Sequence, residues 1–270
     1  MTDTVDTALG PVAVTVRGAG TPVLLLHANP GDGRDYAAVV PALAQWHTTY
    51  TVDWPGYGGS PAPPEPAATT AMAYAGILPG VLTGLGLRRT AVIGNSVGGY
   101  AAARLAITHP QTVSALVLVN SGGFTRHNPL TRAVTRLKGT ETVTRALVGR
   151  LPRLYLREHT PVVQEMLARD RARRGDQVSV AVEAAIWRSF TNGEHDLRTR
   201  AADITAPTLL LWGTRDPLLG QDGRSARRSI PHATWHPLPT GHAPFAEDPQ
   251  AFLAAALPFL GQADDEQRIA

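Results

Sequence analysis

The chain has 270 residues, 43% hydrophobic and 17% charged, a core-forming balance that excludes disorder over its bulk. It contains no cysteine, which excludes disulfide scaffolds, cysteine-ligated zinc and thiol nucleophiles. The net charge of +3 comes from a nearly lysine-free set of cations, since Lys138 is the only lysine, and it concentrates in residues 125–200, which hold 15 basic and 8 acidic side chains. No nucleic-acid module accompanies those arginines. They are expected to be solvated helix faces, the alternative being a field that attracts an anionic substrate. No apolar run reaches the roughly 18–20 residues of a membrane helix. The first ten residues lack the basic and apolar stretches of a signal peptide. The expectation is a soluble, cytoplasmic protein with no nucleic-acid or membrane partner.

Val12 to Val16 alternates with period two and predicts a half-buried strand. Pro22 to Leu26 is a continuous apolar run ending at His27, the pattern of a strand buried on both faces. Residues 35–45 predict a helix that contains Pro41, and Tyr50 to Asp53 a strand. The proline-rich 61–66 predicts a rigid surface connection. Residues 68–86 predict a helix interrupted near Pro79. Ala91 to Gly94 predicts a buried strand, 97–108 a small-residue helix, and Ala115 to Asn120 a further strand. That alternation argues for a mostly parallel, twisted sheet with helices on both faces.

The alternation stops after Gly123, and 125–200 predicts helices without a buried-strand run. Strand signals return at Thr208 to Trp212 and around Thr234 to His236. Asp248-Pro249 supplies an N-cap and a first-turn proline for a last helix through about Leu260, with 261–270 expected to fray. The expected division is a sheet domain from 1–124 and 201–270, with a helical cap over 125–200.

Gly94-Asn95-Ser96-Val97-Gly98-Gly99 lies between a predicted buried strand and a predicted helix. Gly-x-Ser-x-Gly in that setting is a nucleophile elbow. A sharp strand-to-helix turn needs small residues two positions either side of the serine. It also places the hydroxyl beside a helix N-terminus, where N–H groups favour developing negative charge. The hydroxyl needs a base. Of nine histidines, His242 occupies a loop between the last predicted strand and helix, at the same edge as Ser96. His109 reads as a capping or surface residue, and His27 as a hydrogen-bonder that fixes its own loop. Asp216 follows the Thr208 to Trp212 strand and is the candidate to orient His242. The competing position, the loop Asn120 to Gly123, holds no carboxylate. The backbone N–H groups of Val97 and Asn29 are the candidate oxyanion donors. Candidate substrate-binding residues are the Asn29 side chain, Asn95 and Trp187, with a structural loop role for Asn29 and a lid-anchoring role for Trp187 as the alternatives.

Together these segments resemble the α/β-hydrolase superfamily over residues 11–260. Asp53-Trp54-Pro55-Gly56-Tyr57-Gly58-Gly59-Ser60 is similar to that family's DxPGxGxS segment. The resemblance implies an α/β-hydrolase fold with a helical cap inserted after the sixth strand. His27-Ala28-Asn29-Pro30 is similar to the HGNP loop of haloalkane dehalogenases, which carry an aspartate where Ser96 stands here. The elbow is similar to the GNSMGG elbow of hydrolases that cleave carbon–carbon bonds of meta-ring-fission products. Those carry tryptophan after the catalytic histidine, and this chain has Ala243. The expected function is a serine hydrolase, needing no cofactor or metal, that acts on a small-molecule ester, lactone or related acyl compound. Carbon–carbon hydrolysis, acyl transfer or cyclisation is the alternative, and a receptor-like ligand-binding hydrolase the lesser one.

Overall fold

A computed structural model describes residues 1–269. Its eight strands are β1 (Thr2–Thr7), β2 (Gly10–Arg17), β3 (Thr21–Leu26), β4 (His47–Val52), β5 (Thr90–Asn95), β6 (Val113–Val119), β7 (Thr208–Gly213) and β8 (Thr234–Leu238). They form one sheet in the order β1-β2-β4-β3-β5-β6-β7-β8. The β1–β2 and β2–β4 pairs are antiparallel and every other pair is parallel. The central strands β5, β6 and β7 are buried at every position, as a sheet covered on both faces requires. Strand β1 was not anticipated. Its sequence TDTVDT offers one buried apolar side chain, Val5, and it lies at the sheet edge.

The helices are α1 (Val40–Leu43), α2 (Ala71–Gly84), α3 (Val97–Thr108), α4 (Pro129–Lys138), α5 (Glu141–Leu147), α6 (Pro152–Tyr155), α7 (Pro161–Ala172), α8 (Gln177–Ser189), α9 (Gly223–Ser229), α10 (Pro244–Glu247) and α11 (Pro249–Ile269). They cover two apolar cores. One joins α2, α3 and α9 to residues of the sheet, among them Leu24, Leu26, Val92 and Leu210. The other joins α10 and α11 to alternate residues, such as Leu25, Ile93 and Val117. The alternation of a strand puts neighbours on opposite faces, so β3, β5, β6 and β7 each feed both cores. Each fully buried Leu or Val stabilises by about 1.5–3 kcal/mol relative to exposure.

Three local expectations change. The helix predicted over 35–45 is instead a 3₁₀ turn, Gly33–Tyr36, followed by the short α1. Pro41 has no N–H to donate and suits only a first helical turn, so the helix cannot run through it. Pro79, by contrast, is carried inside an unbroken α2, where Leu78, Val81 and Leu82 are buried around it. Packing outweighs the missing backbone hydrogen bond. Helix α11 runs past Leu260 to Ile269, so residues expected to fray continue it, and Ala270 lies outside the described residues.

Residues 125–200 hold α4 to α8, and this segment enters both cores as well as packing on itself. Val182, Ile186 and Leu197 join the first, while Tyr155, Leu156, Val163 and Leu167 join the second. Its buried charges are matched. Glu183 is 2% exposed and binds both Lys138 Nζ and Arg173 Nη2. Arg173 also binds Asp170 at 2.7 Å. Arg169 reaches Asp32 at 3.2 Å and Asp35 at 2.5 Å, tying α7 to the turn after β3.

Candidate active site

Residues of the site follow the carboxyl ends of parallel strands, where open α/β sheets place their ligand crevices. Asn29 follows β3, Ser96 follows β5, Asn120 follows β6, Asp216 follows β7 and His242 follows β8. Ser96 has φ 56° and ψ −114°, a strained conformation for a residue with a Cβ. The turn is possible because Gly94 and Gly98 are bare. A Cβ on Gly94 would strike the Gly98 carbonyl, and one on Gly98 the Leu26 carbonyl. The Ser96 N–H donates to Val119 O at 3.1 Å, and Ser96 O accepts from Tyr100 and Gly122 at 2.9 Å each. The strain is therefore held by β6, by the loop after it and by the first turn of α3.

His242 Nδ1 lies 2.7 Å from Asp216 Oδ2, and both residues are 5% exposed. Asp216 Oδ1 accepts from the Leu218 N–H at 2.8 Å. Burial pushes its carboxyl up, but His242, the Leu218 N–H and the Asn120 amide together hold it below the ordinary aspartate range. An ionised Asp216 accepts the Nδ1 proton of His242 and leaves Nε2 as the acceptor.

Two residues that position this pair escaped sequence analysis. Asn120, at φ 38°, donates from Nδ2 to Asp216 Oδ2 at 2.8 Å and accepts the Gly213 N–H at 2.7 Å. It stands in the loop set aside for lacking a carboxylate, and its amide supports the carboxylate of the next strand. Its signal was there: asparagine is among the few side chains that tolerate this backbone region. Glu247, 3% exposed, accepts the N–H groups of Gly241 and Ala243 at 2.9 Å each and of Arg157 at 2.8 Å. It clamps the His242 loop to the segment between β6 and β7. The His242 N–H completes that clamp by donating to Tyr155 O at 3.0 Å.

Ser96, Val97, Asn29, His242 and Trp187 line one cavity of about 90 Å³. The N–H groups of Val97 and Asn29 have no hydrogen-bond acceptor among the described residues, which leaves both available to a developing oxyanion. The Asn29 side chain is spent elsewhere, its Oδ1 accepting from Tyr57 Oη and its Nδ2 donating to Glu183 O at 3.4 Å. Asn95 departs from its expected place. It does not line the cavity, because its Nδ2 donates to Val119 O and His242 O at 2.9 Å each and so joins β6 to the histidine loop. Trp187 lines the cavity and carries Lys138 Nζ over its ring at 5.4 Å. His27 holds its loop, with Nε2 accepting the Trp54 N–H at 3.0 Å and Nδ1 facing Ala28 O at 2.7 Å. Burial keeps it neutral by lowering its pKa.

No arginine, lysine, aspartate or glutamate lines this cavity. The described residues include no group of three or more His, Asp or Glu side chains placed to hold a metal ion, and no helix among them is long and apolar enough to cross a membrane.

A family model described as alpha/beta hydrolase fold matches residues 21–249. A 2-hydroxy-6-oxononadienedioate/2-hydroxy-6-oxononatrienedioate hydrolase of Cupriavidus pinatubonensis is 30% identical over 261 residues, covering 92% of this chain and 89% of that protein. A pimeloyl-[acyl-carrier protein] methyl ester esterase of Chromobacterium violaceum is 31% identical over 255 residues, covering 90% of this chain and 95% of that protein. Among solved structures, a hydrolase from Pseudomonas aeruginosa superimposes with a TM-score of 0.79 at 27% identity, covering 96% of this chain and 98% of that one. The chain belongs to the alpha/beta hydrolase family.

Proposed function

We propose that the protein is a serine hydrolase of small, uncharged carboxylic esters or lactones, with Ser96, His242 and Asp216 as its triad. The observation that carries this reading is the buried Asp216–His242 pair at 2.7 Å opening on the same cavity as the strained Ser96. His242 Nε2 takes the Ser96 proton as Oγ bonds to the carbonyl carbon. The N–H groups of Val97 and Asn29 hold the oxyanion. The tetrahedral intermediate collapses, its C–O bond breaks, and His242 returns the proton to the leaving alkoxide. Water then attacks the acyl-enzyme with His242 as base, releasing the acid and restoring Ser96. Asp216 stays ionised throughout and stabilises the imidazolium.

Cavity chemistry supports the restriction to small, neutral substrates. A volume of about 90 Å³ is well below the ~300–1,000 Å³ of sites for drug-sized ligands. An anionic substrate entering a lining without cations would lose its hydration with no paired charge in return. Residues 125–200 serve as the cap that supplies the Trp187 wall.

Carbon–carbon hydrolysis is the second reading, favoured by the 30% identity to the Cupriavidus enzyme. A dienedioate carries two carboxylates, and Arg173, a cation of the segment, is already bound to Glu183 and Asp170. The uncharged lining therefore weighs toward the ester. The test is intact-mass spectrometry after treatment with a small neutral phosphonate ester, followed by turnover of p-nitrophenyl butanoate. A single adduct that Ser96→Ala does not form, and ester turnover, are expected. Turnover of a dienedioate with no turnover of any neutral ester would move the assignment to the second reading, and no adduct would remove the triad.

A further inference from the structure

Two polar side chains of the cavity wall, Asn29 and Thr125, are committed within the protein. The Asn29 amide is used by Tyr57 and Glu183, and Thr125 Oγ1 donates to Asp222 Oδ2. His127, which lines the cavity between β6 and α4, is different. Its Nδ1 is closed off from solvent and has no hydrogen-bond partner. Neither ring nitrogen of His127 pairs with any group of the described residues. A buried nitrogen in a wall normally has a partner, because losing water without replacing its hydrogen bond is unfavourable. Burial lowers its pKa; Asp196 opposes that, and Arg132 and Arg198 add to it. The neutral ring offers one N–H donor and one nitrogen acceptor.

We propose that His127 is a specificity-determining residue, whose imidazole hydrogen-bonds an uncharged hydroxyl or carbonyl oxygen carried on the substrate beyond the scissile ester. This rests on the ester-hydrolase reading and adds the substrate class: oxygenated short-chain esters or lactones in preference to alkyl ones. A neutral imidazole can meet either kind of oxygen, donating to a carbonyl or accepting from a hydroxyl. It offers a carboxylate no charge, which fits a lining without arginine or lysine. A site built to pair a polar group discriminates against the analogue that lacks it, because its own group is then left unpaired.

The experiment compares p-nitrophenyl butanoate with its 2-hydroxy, 3-hydroxy and 3-oxo derivatives, on the whole protein and on His127→Phe and His127→Gln. The parent should favour at least one oxygenated ester by about tenfold in kcat/KM. His127→Phe should abolish that preference, mainly by raising KM for the oxygenated ester, and should leave butanoate within about threefold. His127→Gln, which restores a donor and an acceptor, should recover part of it. No preference in the parent, or an unchanged one in His127→Phe, overturns the proposal. If His127→Phe fails to fold, an unchanged preference in His127→Asn overturns it, and a loss carried by KM supports it. A parent that hydrolyses none of the four esters overturns the ester-hydrolase reading itself, and this inference with it. Butanoate turnover without the preference overturns this inference alone.

Discussion

The carboxyl edge of the sheet and the helical segment between β6 and β7 face one cavity but are built on different physics. At the sheet edge, most of the bonds that position the candidate residues have a backbone group as one partner. Strain at Ser96 is fixed by N–H and carbonyl bonds to β6, the loop after it and α3, and Asp216 and His242 are held by N–H groups, an asparagine amide and Glu247. In the helical segment, position comes from side chains. A buried cluster of Lys138, Glu183, Arg173 and Asp170 pins α4, α7 and α8 to one another. Backbone-held groups suit a reaction that tolerates little displacement. Side-chain-held helices can be re-lined without disturbing the turn that carries Ser96.

That contrast predicts a ladder of effects. The largest belongs to the nucleophile: Ser96→Ala should lower ester kcat/KM by about 10⁴ or more. It should leave the urea midpoint unchanged or slightly raised, since it removes no hydrogen bond of the fold. Activity within tenfold of the parent would show that the edge is not the reaction centre.

Glu183→Gln should act in the opposite manner. It leaves Lys138 and Arg173 short of a buried counter-charge, at a cost of about 3–5 kcal/mol in urea unfolding. A loss below about 1 kcal/mol would mean that the helical segment does not depend on its charge cluster.

Asn120→Gly tests positioning at the edge. Glycine accepts the φ of 38°, so the amide is lost without added strain. A hydrogen bond to a charged group contributes about 1.5–3 kcal/mol, so kcat should fall about ten- to a hundredfold with KM little changed. An effect on KM alone would refute the positioning role.

The smallest effect concerns His195, packed against Tyr100 and Phe190 with both ring nitrogens unpartnered. Burial pushes its pKa down to about 4, with Arg104 acting in the same sense. Between about pH 4 and 6.5 the unfolded chain binds a proton that the folded one refuses, so this group's contribution falls as pH drops through that window and is fully present above it. His195→Phe should therefore reduce the stability loss between pH 7 and pH 5 by about 1–2 kcal/mol, allowing for partial solvent screening. Asp35 runs the other way, because burial and the Asp32 charge raise its carboxyl to about 7. Its contribution falls as pH rises from about 4 to 7. Differential scanning calorimetry of parent and variant at both pH values cancels the shared Asp35 term, and an identical difference in the two proteins would refute the His195 assignment.

Legibility in the sequence followed the range of the determining interaction. The elbow was legible because its cause is local: two bare residues around a serine, a buried strand before and a helix after. Asp216 and His242 could be placed because each follows a strand signal, and parallel strands bring their carboxyl ends to one edge. Asn120 was missed because the search there was for a carboxylate, and a partner 96 residues away supplies the meaning of its amide. Asn95 was misplaced for a similar reason, since adjacency to a nucleophile says nothing about which carbonyls an amide will meet. Strand β1 was missed because hydrogen bonding to β2 stabilises it, with almost no apolar pattern of its own.

By itself the sequence determined the central parallel strands and the turn at Ser96, because periodicity and bare turn residues act over a few positions along the chain. Only the tertiary structure decided which polar groups are already used: that Arg173 is occupied by Glu183 and Asp170, that the Asn29 amide faces Tyr57 and α8, and that His127 reaches the cavity without a partner. Hydrogen-bond and charge satisfaction depend on distances of about 3 Å between residues remote in the chain. No local pattern encodes those distances, because the packing of α6, α7 and α8 against the two cores sets them.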